Sequence, residues 1–307
     1  MPVTRRHALY AVYMNSSLLG GITRQTIALG SEVRGEISCG QVYTRFLAMY
    51  GQKIAPGFNT RCIAAALALC GLSGVDISTL SAFTLYAYKH AASGARASGT
   101  VHRSFNFGDG LLFPTRLRCE FRGDATLDYS LITVYDGSNS PMVVTDTVGL
   151  PSGTISDEFF TLGPVKVGNI TLPQVRSVEI DFGLSVEAIG ADSDIWDTFC
   201  SIVTQKPQIT LRGIDIEWLK ESTGIPLAGK AATHANTIIY LRKRLHAGTF
   251  VADATAEHIK FTGDGMAYIE PAFEASGEAP AEAALVLPLR YDGTNAPLTV
   301  TPASAIT

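Results

Sequence analysis

Charged residues are scarce in this sequence, and its few cysteines form no paired motif. Asp, Glu, Lys and Arg make up 17% of 307 residues, compared with about 25% in a typical globular chain. Such a chain is expected to cover much of its surface with protein contacts. The net charge of −4 gives no overall basic character for binding nucleic acid. The five cysteines include no C-x-x-C pair, which argues against a zinc site or a disulfide scaffold and favours packed thiols in a reducing cytoplasm.

Signatures of catalysis, metal binding and membrane insertion are also missing. The six histidines do not occur at H-x-x-x-H or H-E-x-x-H spacing, and there is no G-x-S-x-G elbow or P-loop. The N-terminus makes a poor signal peptide, and the longest apolar run, residues 62–72, is too short to span a bilayer. We therefore predict a soluble protein that is not an enzyme, with no catalytic residues, metal, cofactor or membrane partner.

Three charged clusters leave alternatives open. The densest acidic group contains Asp192, Asp194 and Asp197, and a second group contains Glu217 and Glu221, next to Trp218. Paired carboxylates can hydrolyse a glycosidic bond, and Trp can stack on a sugar, but acids at a helix N-terminus explain the first group equally simply. The basic run 242–244 follows an apolar segment and is typical of a strand end at the surface, with a phosphate site as the alternative.

One ordered set of short motifs occurs twice in the sequence. Asp109-Gly110 and Asp264-Gly265 lie 155 residues apart, and Asp136-Gly137 and Asp292-Gly293 lie 156 apart. Asp-Gly alone is common in turns, but further pairs keep the same order at similar offsets: Tyr43 with Trp196, Phe46 with Phe199, Gln52 with Gln205, Lys53 with Lys206, and Tyr86 with Tyr240. We predict two homologous domains, residues 1–152 and 153–307, because this spacing is the size of one compact domain.

Each half is expected to be mainly β with short helices, an α+β fold. Hydrophobic spacing predicts a helix over residues 42–50, ended by Gly51, and an equivalent helix over 195–202, capped by Asp192 or Ser193. Residues 62–69 are alanine-rich and predict a second helix, whereas their counterpart, 209–219, is more typical of a strand. Other predicted strands are 22–29, 32–38, 83–88, 101–107, 111–121, 127–135, 142–147 and 237–241.

The repeated Asp-Gly pairs predict tight hairpin turns, because residues with positive φ are favoured there. These turn markers are Asp109, Gly110, Asp136, Gly137, Asp264, Gly265, Asp292 and Gly293. A calcium loop is the alternative, but such loops bring several acids together and these turns carry one each. Residues 91–100 and 247–256, which include Gly94, Ser98, Gly248 and Ala252, are rich in small residues and predict long adaptable loops.

The order of predicted elements resembles the tail tube proteins of long-tailed bacteriophages and related injection systems. Each half has strands, a short helix, a strand ending in basic residues, a long loop and a closing β-meander; residues 178–218 and the final strand, 296–300, carry most of the likeness. The resemblance covers most of both halves through this pattern and through no diagnostic motif. It implies two tandem β-sandwich or half-barrel domains, with six tube domains per ring and a DNA channel through stacked rings.

Further expectations follow from the resemblance. Three copies of a two-domain chain would make one pseudo-six-fold ring, a homotrimer, in the virion tail after assembly in the host cytoplasm. Partners would be other copies of the chain, the tape-measure, terminator and baseplate proteins, and DNA that passes without sequence-specific binding along an acidic lumen. Gly94, Ser98, Gly248 and Ala252 would lie in loops between rings. A baseplate hub, distal tail or head–tail connector protein is the near alternative, and a carbohydrate-binding or carbohydrate-active β-sandwich protein the distant one.

Overall fold

The computed structural model describes residues 7–80, 82–89, 102–151, 158–168, 170–190, 195–213, 232–246, 248–276 and 279–307. Within these ranges the chain forms twenty strands and one short helix, and every strand pair is antiparallel. The mainly β fold expected from the sequence is therefore confirmed.

The first half of the chain folds into two facing sets of strands. One set is a five-stranded sheet in the order β10-β7-β6-β1-β2, and the other has the order β8-β9-β4-β3, with β5 beside β8. The elements are β1 (His7–Met14), β2 (Ser17–Leu19), β3 (Ile22–Glu36), β4 (Phe46–Thr60), α1 (Ile63–Cys70), β5 (Val75–Ile77), β6 (Phe83–Lys89), β7 (His102–Phe107), β8 (Gly110–Glu120), β9 (Thr126–Thr133) and β10 (Met142–Val148).

The second half has strands in the order β12-β11-β17-β18-β20 and, continuing from β18, the order β18-β19-β16-β13. A separate two-stranded hairpin is formed by β14 and β15. The elements are β11 (Phe159–Val167), β12 (Ile170–Leu172), β13 (Val175–Asp181), β14 (Leu184–Ile189), β15 (Phe199–Gln205), β16 (Gln208–Gly213), β17 (Ala232–Arg244), β18 (His258–Ser276), β19 (Ala279–Pro288) and β20 (Leu298–Ser304).

The strand orders of the two halves are similar: β18 takes the places of β7 and β8, β15 and β16 take the place of β4, and β5 has no counterpart among the described strands. In each half the first strand lies between its short hairpin partner and a long later strand, and the last strand closes the same sheet. An irregularity in register also recurs: the β3–β4 ladder shifts between Ile22 and Arg24, and the β13–β16 ladder shifts between Val175 and Ser177. These two shifts lie 153 residues apart, which is the offset of the sequence pairs at Tyr43 and Gln52.

Aromatic rings fill the space between the two sheets of the first half. Phe58 stacks on Phe83 of the opposite sheet with ring centroids 5.9 Å apart, and on its neighbour Tyr129 at 5.1 Å. Phe83 in turn contacts Phe107 at 5.6 Å. Strand β9 shows why this sheet forms, because its side chains alternate between buried and partly exposed along its whole length. The core is therefore that of a β-sandwich.

The structure corrects two of the predicted helices. Residues 46–50 belong to β4, and residues 199–202 belong to β15. The apolar residues at 42, 46 and 49 have helical spacing, but the chain around them is one side of a long hairpin in which Phe46 pairs with Glu36 and Gly51 with Glu32. Gly51 therefore lies within a strand and ends no helix. Asp192 and Ser193, the predicted caps, lie outside the described residues.

The alanine-rich segment was predicted correctly, because α1 covers Ile63–Cys70. Its predicted counterpart begins as the strand β16, Gln208–Gly213, and the rest of 209–219 lies outside the described residues. The predicted strands 22–29 and 32–38 form the single strand β3, which ends at Glu36. The remaining predicted strands are present, with ends that differ by a few residues.

Candidate assembly interface

The two halves are joined by a strand pair. Strand β8 of the first half runs antiparallel to β13 of the second, with Leu117 opposite Ile180. On the partly exposed face, the Glu179 carboxylate lies 3.2 Å from Arg116 Nε and 3.6 Å from Arg118 Nε. The strands β3, β4, β9, β8, β13, β16, β19 and β18 therefore form one continuous sheet across both halves, which we call the joined sheet.

A second contact between the halves lies at the tip of the β14–β15 hairpin, in the loop that joins its two strands. The indole of Trp196 lies against the ring of Tyr135, with centroids 5.4 Å apart, and its Nε1 donates a hydrogen bond to Gln52 Oε1 at 3.2 Å. Two backbone bonds flank this contact: Gln52 N donates to Ile195 O at 2.7 Å, and Tyr135 N donates to Asp197 O at 2.8 Å. The two halves are thus in contact through an aromatic pair that is flanked by hydrogen bonds.

The joined sheet has an open edge at each end. At one end, β3 pairs only with β4 among the strands that the structure describes. At the other end, β17 accompanies β18 only as far as Ala267, and the described strands leave that edge of residues 268–276 unpaired. Strand β8 is arranged in the same way: β5 accompanies its first three residues, and β13 occupies the edge further along. Unpaired edges of this length readily accept a strand from another chain.

The long β3–β4 hairpin exposes an apolar face. The cross-strand pair of Val33 and Met49 lies on the same side as Leu47, whose partner is Gly35, and all three apolar side chains are exposed. The opposite side carries Arg34, which makes a 2.5 Å ion pair with Glu32. Exposed apolar side chains grouped in this way are typical of a protein contact. This surface could not be foreseen from the sequence, because the predicted helix over residues 42–50 left the predicted strand 32–38 without its partner strand.

The solvent face of the joined sheet is polar and carries charges of both signs. A row of residues crosses five strands in register: Arg24, Asn59, Asp128, Arg116 and Asp181. Asn59 Nδ2 donates to Asp128 Oδ1 at 2.7 Å. The alternation of charge along this row does not give a strongly acidic surface.

Two of the turn markers form equivalent, tightly bonded turns. Asp136 Oδ1 accepts from the backbone N of Ser138 at 2.7 Å and of Asn139 at 2.6 Å, and Asp292 Oδ1 accepts from Thr294 and Asn295 at the same distances. The side-chain amide of Asn295 and these backbone bonds lower the pKa of Asp292 to about 2. The equivalent bonds lower the pKa of Asp136. The glycines that follow, Gly137 and Gly293, have φ of +84° and +97°.

These turns are not the tight hairpins that the sequence predicted. The strands on either side of Asp136-Gly137, β9 and β10, belong to different sheets and do not pair with each other. The turn instead carries the chain from one sheet of the sandwich to the other. The conformation of the turn is fixed by its aspartate, which accepts hydrogen bonds from backbone N–H groups within the turn, and not by pairing of the flanking strands.

The other two markers lie where the chain bends between sheets. Asp109-Gly110 connects β7 to β8, and Asp264-Gly265 lies inside the continuous strand β18. Val134 N donates to Asp109 O at 3.2 Å, and Arg290 N donates to Asp264 O at 2.9 Å, so the same backbone bond holds both bends. The hairpin prediction is therefore wrong here as well. Burial raises the pKa of Asp109.

The predicted loops are only partly described. Gly94 and Ser98 lie outside the described residues. Gly248 lies in a short turn with φ of +82°, and its N donates to Leu245 O at 2.9 Å. The Ala252 carbonyl accepts from Thr255 N at 2.9 Å. These bonds are local and do not bear on a role between rings.

The charged clusters show no converging chemistry in the described part of the chain. Asp197 lies 3.7 Å from Lys53 Nζ, and its carbonyl accepts from Tyr135. The basic run ends β17, where Arg242 pairs with Asp253 at 2.9 Å. The other acids of these groups and the tryptophan lie outside the described residues: Asp192, Asp194, Glu217, Trp218 and Glu221. Over the described ranges, no group of three His, Cys, Asp or Glu side chains could hold a metal ion.

None of the five cysteines forms a disulfide; Cys62, Cys70 and Cys119 are buried, and Cys39 is exposed. Burial raises the pKa of the Cys70 and Cys119 thiols to about 12. Among the described residues, no helix has the length and hydrophobicity needed to cross a membrane. Neither a family model nor a curated protein sequence matches this chain.

Proposed function

We propose that this chain is a duplicated tail-tube-type subunit that assembles, three copies at a time, into rings that stack into a DNA-conducting tube. The two halves are then two copies of one β-sandwich domain. Support comes from the similar strand orders, the matching register shifts at Ile22 and Val175, and the matching turns at Asp136 and Asp292. Homology is the simplest account of so many coincident details at nearly constant offsets.

One observation carries the assembly proposal: the strand pairing that joins the two halves within a chain could recur between chains. Within the chain, β8 of the first half pairs with β13 of the second. The open edge at β3 corresponds to the edge of β13, and the open edge of residues 268–276 corresponds to the edge of β8. Residues 268–276 of one copy would therefore pair with β3 of the next, and would repeat between chains the contact that exists within one.

Such a head-to-tail contact either closes into a ring or propagates as a filament. Closure would pair both open ends of the joined sheet. Eight strands of the chain lie in the joined sheet, so a closed trimer would form a barrel of about 24 strands, wide enough for an aqueous lumen by the scaling of barrel diameter with strand number.

The surface that would line this lumen suits passage of DNA better than tight binding. The row from Arg24 to Asp181 interleaves acids with bases, and Arg116 and Arg118 are both paired with Glu179. Guanidinium groups neutralised by a carboxylate release few counterions from a phosphate backbone, and so bind it weakly. The strongly acidic lumen that the resemblance suggested is not required.

The apolar face of the β3–β4 hairpin supports stacking of rings. Val33, Leu47 and Met49 lie far along the hairpin from the joined sheet's central strands, and they would dock on a copy in the adjacent ring. A hub or connector ring that occurs once in the virion has less use for such a surface. Tape-measure, terminator and baseplate proteins remain the proposed partners at the ends of the tube, in the virion.

Electron microscopy of the purified protein tests this proposal. We expect rings with six-fold pseudo-symmetry that stack into tubes as concentration rises. Single trimeric rings that never stack would indicate a hub or connector protein, and monomers under all salt and concentration conditions would overturn the ring.

Proline variants at the open β3 edge connect the test to the geometry. Successive N–H groups of a strand point to opposite edges, so one of the N–H groups of Thr26 and Ile27 faces β4 and the other faces the open edge. Proline at the position whose N–H faces outward removes a donor from the open edge alone. That variant should remain a folded monomer by circular dichroism and form no rings. Proline at the hairpin tip, Cys39→Pro, is the control, and ring formation should survive it, because Cys39 is the second residue of a turn closed by Gln41 N donating to Ser38 O at 3.0 Å, a position that favours proline.

A further inference from the structure

The contact made by Trp196 has an equivalent set of residues elsewhere in the chain. Trp196 lies three residues before β15, and Tyr43 lies three residues before β4, the corresponding strand. Tyr135 precedes the Asp136 turn, and Tyr291 precedes the equivalent Asp292 turn.

The hydrogen-bond acceptor of Trp196 has a counterpart as well. It is Gln52, which lies 153 residues before Gln205, the offset of the shared register shift. Thus Tyr43, Tyr291 and Gln205 correspond to Trp196, Tyr135 and Gln52.

The second set is exposed where the first set is covered. Trp196, Tyr135 and Gln52 are all partly buried by their mutual contact. Tyr43 is 81% exposed and Tyr291 is 62% exposed, and Gln205 is exposed too. Aromatic rings exposed to this degree are costly to leave in water and are enriched at the centres of protein interfaces.

The positions of the open strand edges indicate that a second copy of the chain covers Tyr43 and Tyr291. Tyr43 lies on the hairpin that starts from β3, and Tyr291 follows β19, the neighbour of residues 268–276. If these two edges meet between copies, the hairpin of one copy reaches the Tyr291 turn of the next, just as the β14–β15 hairpin reaches the Tyr135 turn within the chain.

We propose that Tyr43 of one copy packs on Tyr291 of the neighbouring copy and donates its hydroxyl hydrogen bond to Gln205 Oε1 of that copy. This inference rests on the proposed ring. The chemistry is preserved because the Tyr hydroxyl, like the Trp Nε1, is a donor on an aromatic ring, and an amide oxygen accepts from either. The clamp would fix the angle between neighbouring copies, which sets the number of copies per ring.

Thiol cross-linking tests the clamp in assembled protein. In a background with Cys39→Ser and Cys200→Ser, which removes the exposed and the partly exposed thiol, Tyr43→Cys and Tyr291→Cys are combined in one chain and treated with a short bis-maleimide. We expect covalent dimers and trimers and no larger species. The matched control is Tyr50→Cys with Tyr291→Cys, because Tyr50 is an exposed tyrosine on the same hairpin, and it should not be cross-linked between chains.

A double-mutant cycle provides the second measurement. Tyr43→Phe and Tyr291→Ala should each raise the concentration needed for ring formation, the first a few-fold through the lost hydrogen bond and the second up to about tenfold through the lost ring contact. Gln205→Ala should have no further effect in the Tyr43→Phe background.

The outcomes separate the clamp from the ring itself. Rings seen by microscopy without cross-linking at this pair, or with additive effects of Gln205→Ala and Tyr43→Phe, would overturn the clamp and leave the proposed function intact. Absence of rings in the unmodified protein would overturn both.

Discussion

Trp196 and Tyr135 come from opposite halves of the chain and lie with ring centroids 5.4 Å apart and ring planes 31° apart. Together with the β8–β13 ladder, this pair connects the two halves. Each connection has a counterpart that is open in a single copy, at β3 and at Tyr43. Substitutions at the internal positions should therefore change the stability of one chain, and substitutions at their open counterparts should change assembly between chains.

Truncating the internal aromatic should weaken the monomer, whereas truncating its counterpart should not. Trp196→Ala removes a ring contact and leaves Gln52 without its side-chain donor, so we expect the free energy of unfolding to fall by about 1–3 kcal/mol. Urea denaturation followed by circular dichroism, below the concentration for assembly, measures this change. Tyr43→Ala is the control, and a comparable loss there would contradict the assigned difference between the two rings.

The Asp292 turn should make stability depend on pH in the acid range. Hydrogen bonds from Asn295 and Thr294 hold the pKa of this carboxyl at about 2 in the folded chain, against about 3.9 for an unperturbed Asp. A lowered folded pKa adds stability that is fully present above about pH 4 and is lost as the pH falls toward 2.

Asp292→Ala should therefore reduce the slope of unfolding free energy against pH between about 5 and 2. Asp136→Ala should act in the same direction, because its pKa is also lowered. Denaturation midpoints measured at a series of pH values provide the comparison. An unchanged slope in both variants would mean that these turns open before the chain unfolds.

Gly110 should be intolerant of any side chain. Its φ is +141°, and an added Cβ would lie 2.1 Å from the carbonyl oxygen of Ile132 across the β8–β9 ladder. Gly110→Ala should cost about 3–5 kcal/mol, the range of severe backbone and packing defects. The control is Gly137→Ala, which also has positive φ, +84°, but has open space around the added Cβ and should cost about 1 kcal/mol. Thermal unfolding distinguishes the two.

The hairpin face should control stacking independently of ring closure. Leu47→Lys places a charge on the apolar side, and Ala48→Lys places the same charge on the side of Arg34, its cross-strand partner. We expect the first variant to form rings that do not stack and the second to form tubes, because only the first would require burial of an unpaired ammonium group. Electron microscopy with sedimentation velocity gives both readouts, and tubes formed by Leu47→Lys would refute this role of the hairpin.

Much of the architecture could be read from local patterns. The strand β9 was predictable because Leu127, Tyr129 and Leu131 alternate with polar residues, and α1 because a run of alanine and leucine favours a helix. The Asp136 and Asp292 turns were found because Asp-Gly followed by Asn has little freedom outside a turn. The role of these turns could not be predicted, because the same dipeptide can close a hairpin or connect two sheets. Only the pairing partners of β9 and β10 decide between the two.

The hairpin of β3 and β4 shows the limit most clearly. Phe46 and Met49 have helical spacing, yet they lie in a strand because Glu36 and Val33 across the hairpin supply the backbone bonds. Pairing over a distance along the chain overrides a local period, and it cannot be seen in the segment alone. The acidic groups could not be resolved either, because a shared site depends on which segments meet in space.

The sequence by itself determined the β-rich composition, the ordered pairs at offsets near 155 residues and the turns that mark them, because propensity and turn chemistry act over a few neighbouring residues. Only the tertiary structure decided that β8 lies beside β13, that both ends of the joined sheet are open among the described strands, and that Trp196 is partly buried while Tyr43 is exposed. These features depend on contacts between residues far apart in the chain, whose free energy is set by packing and by backbone pairing in three dimensions.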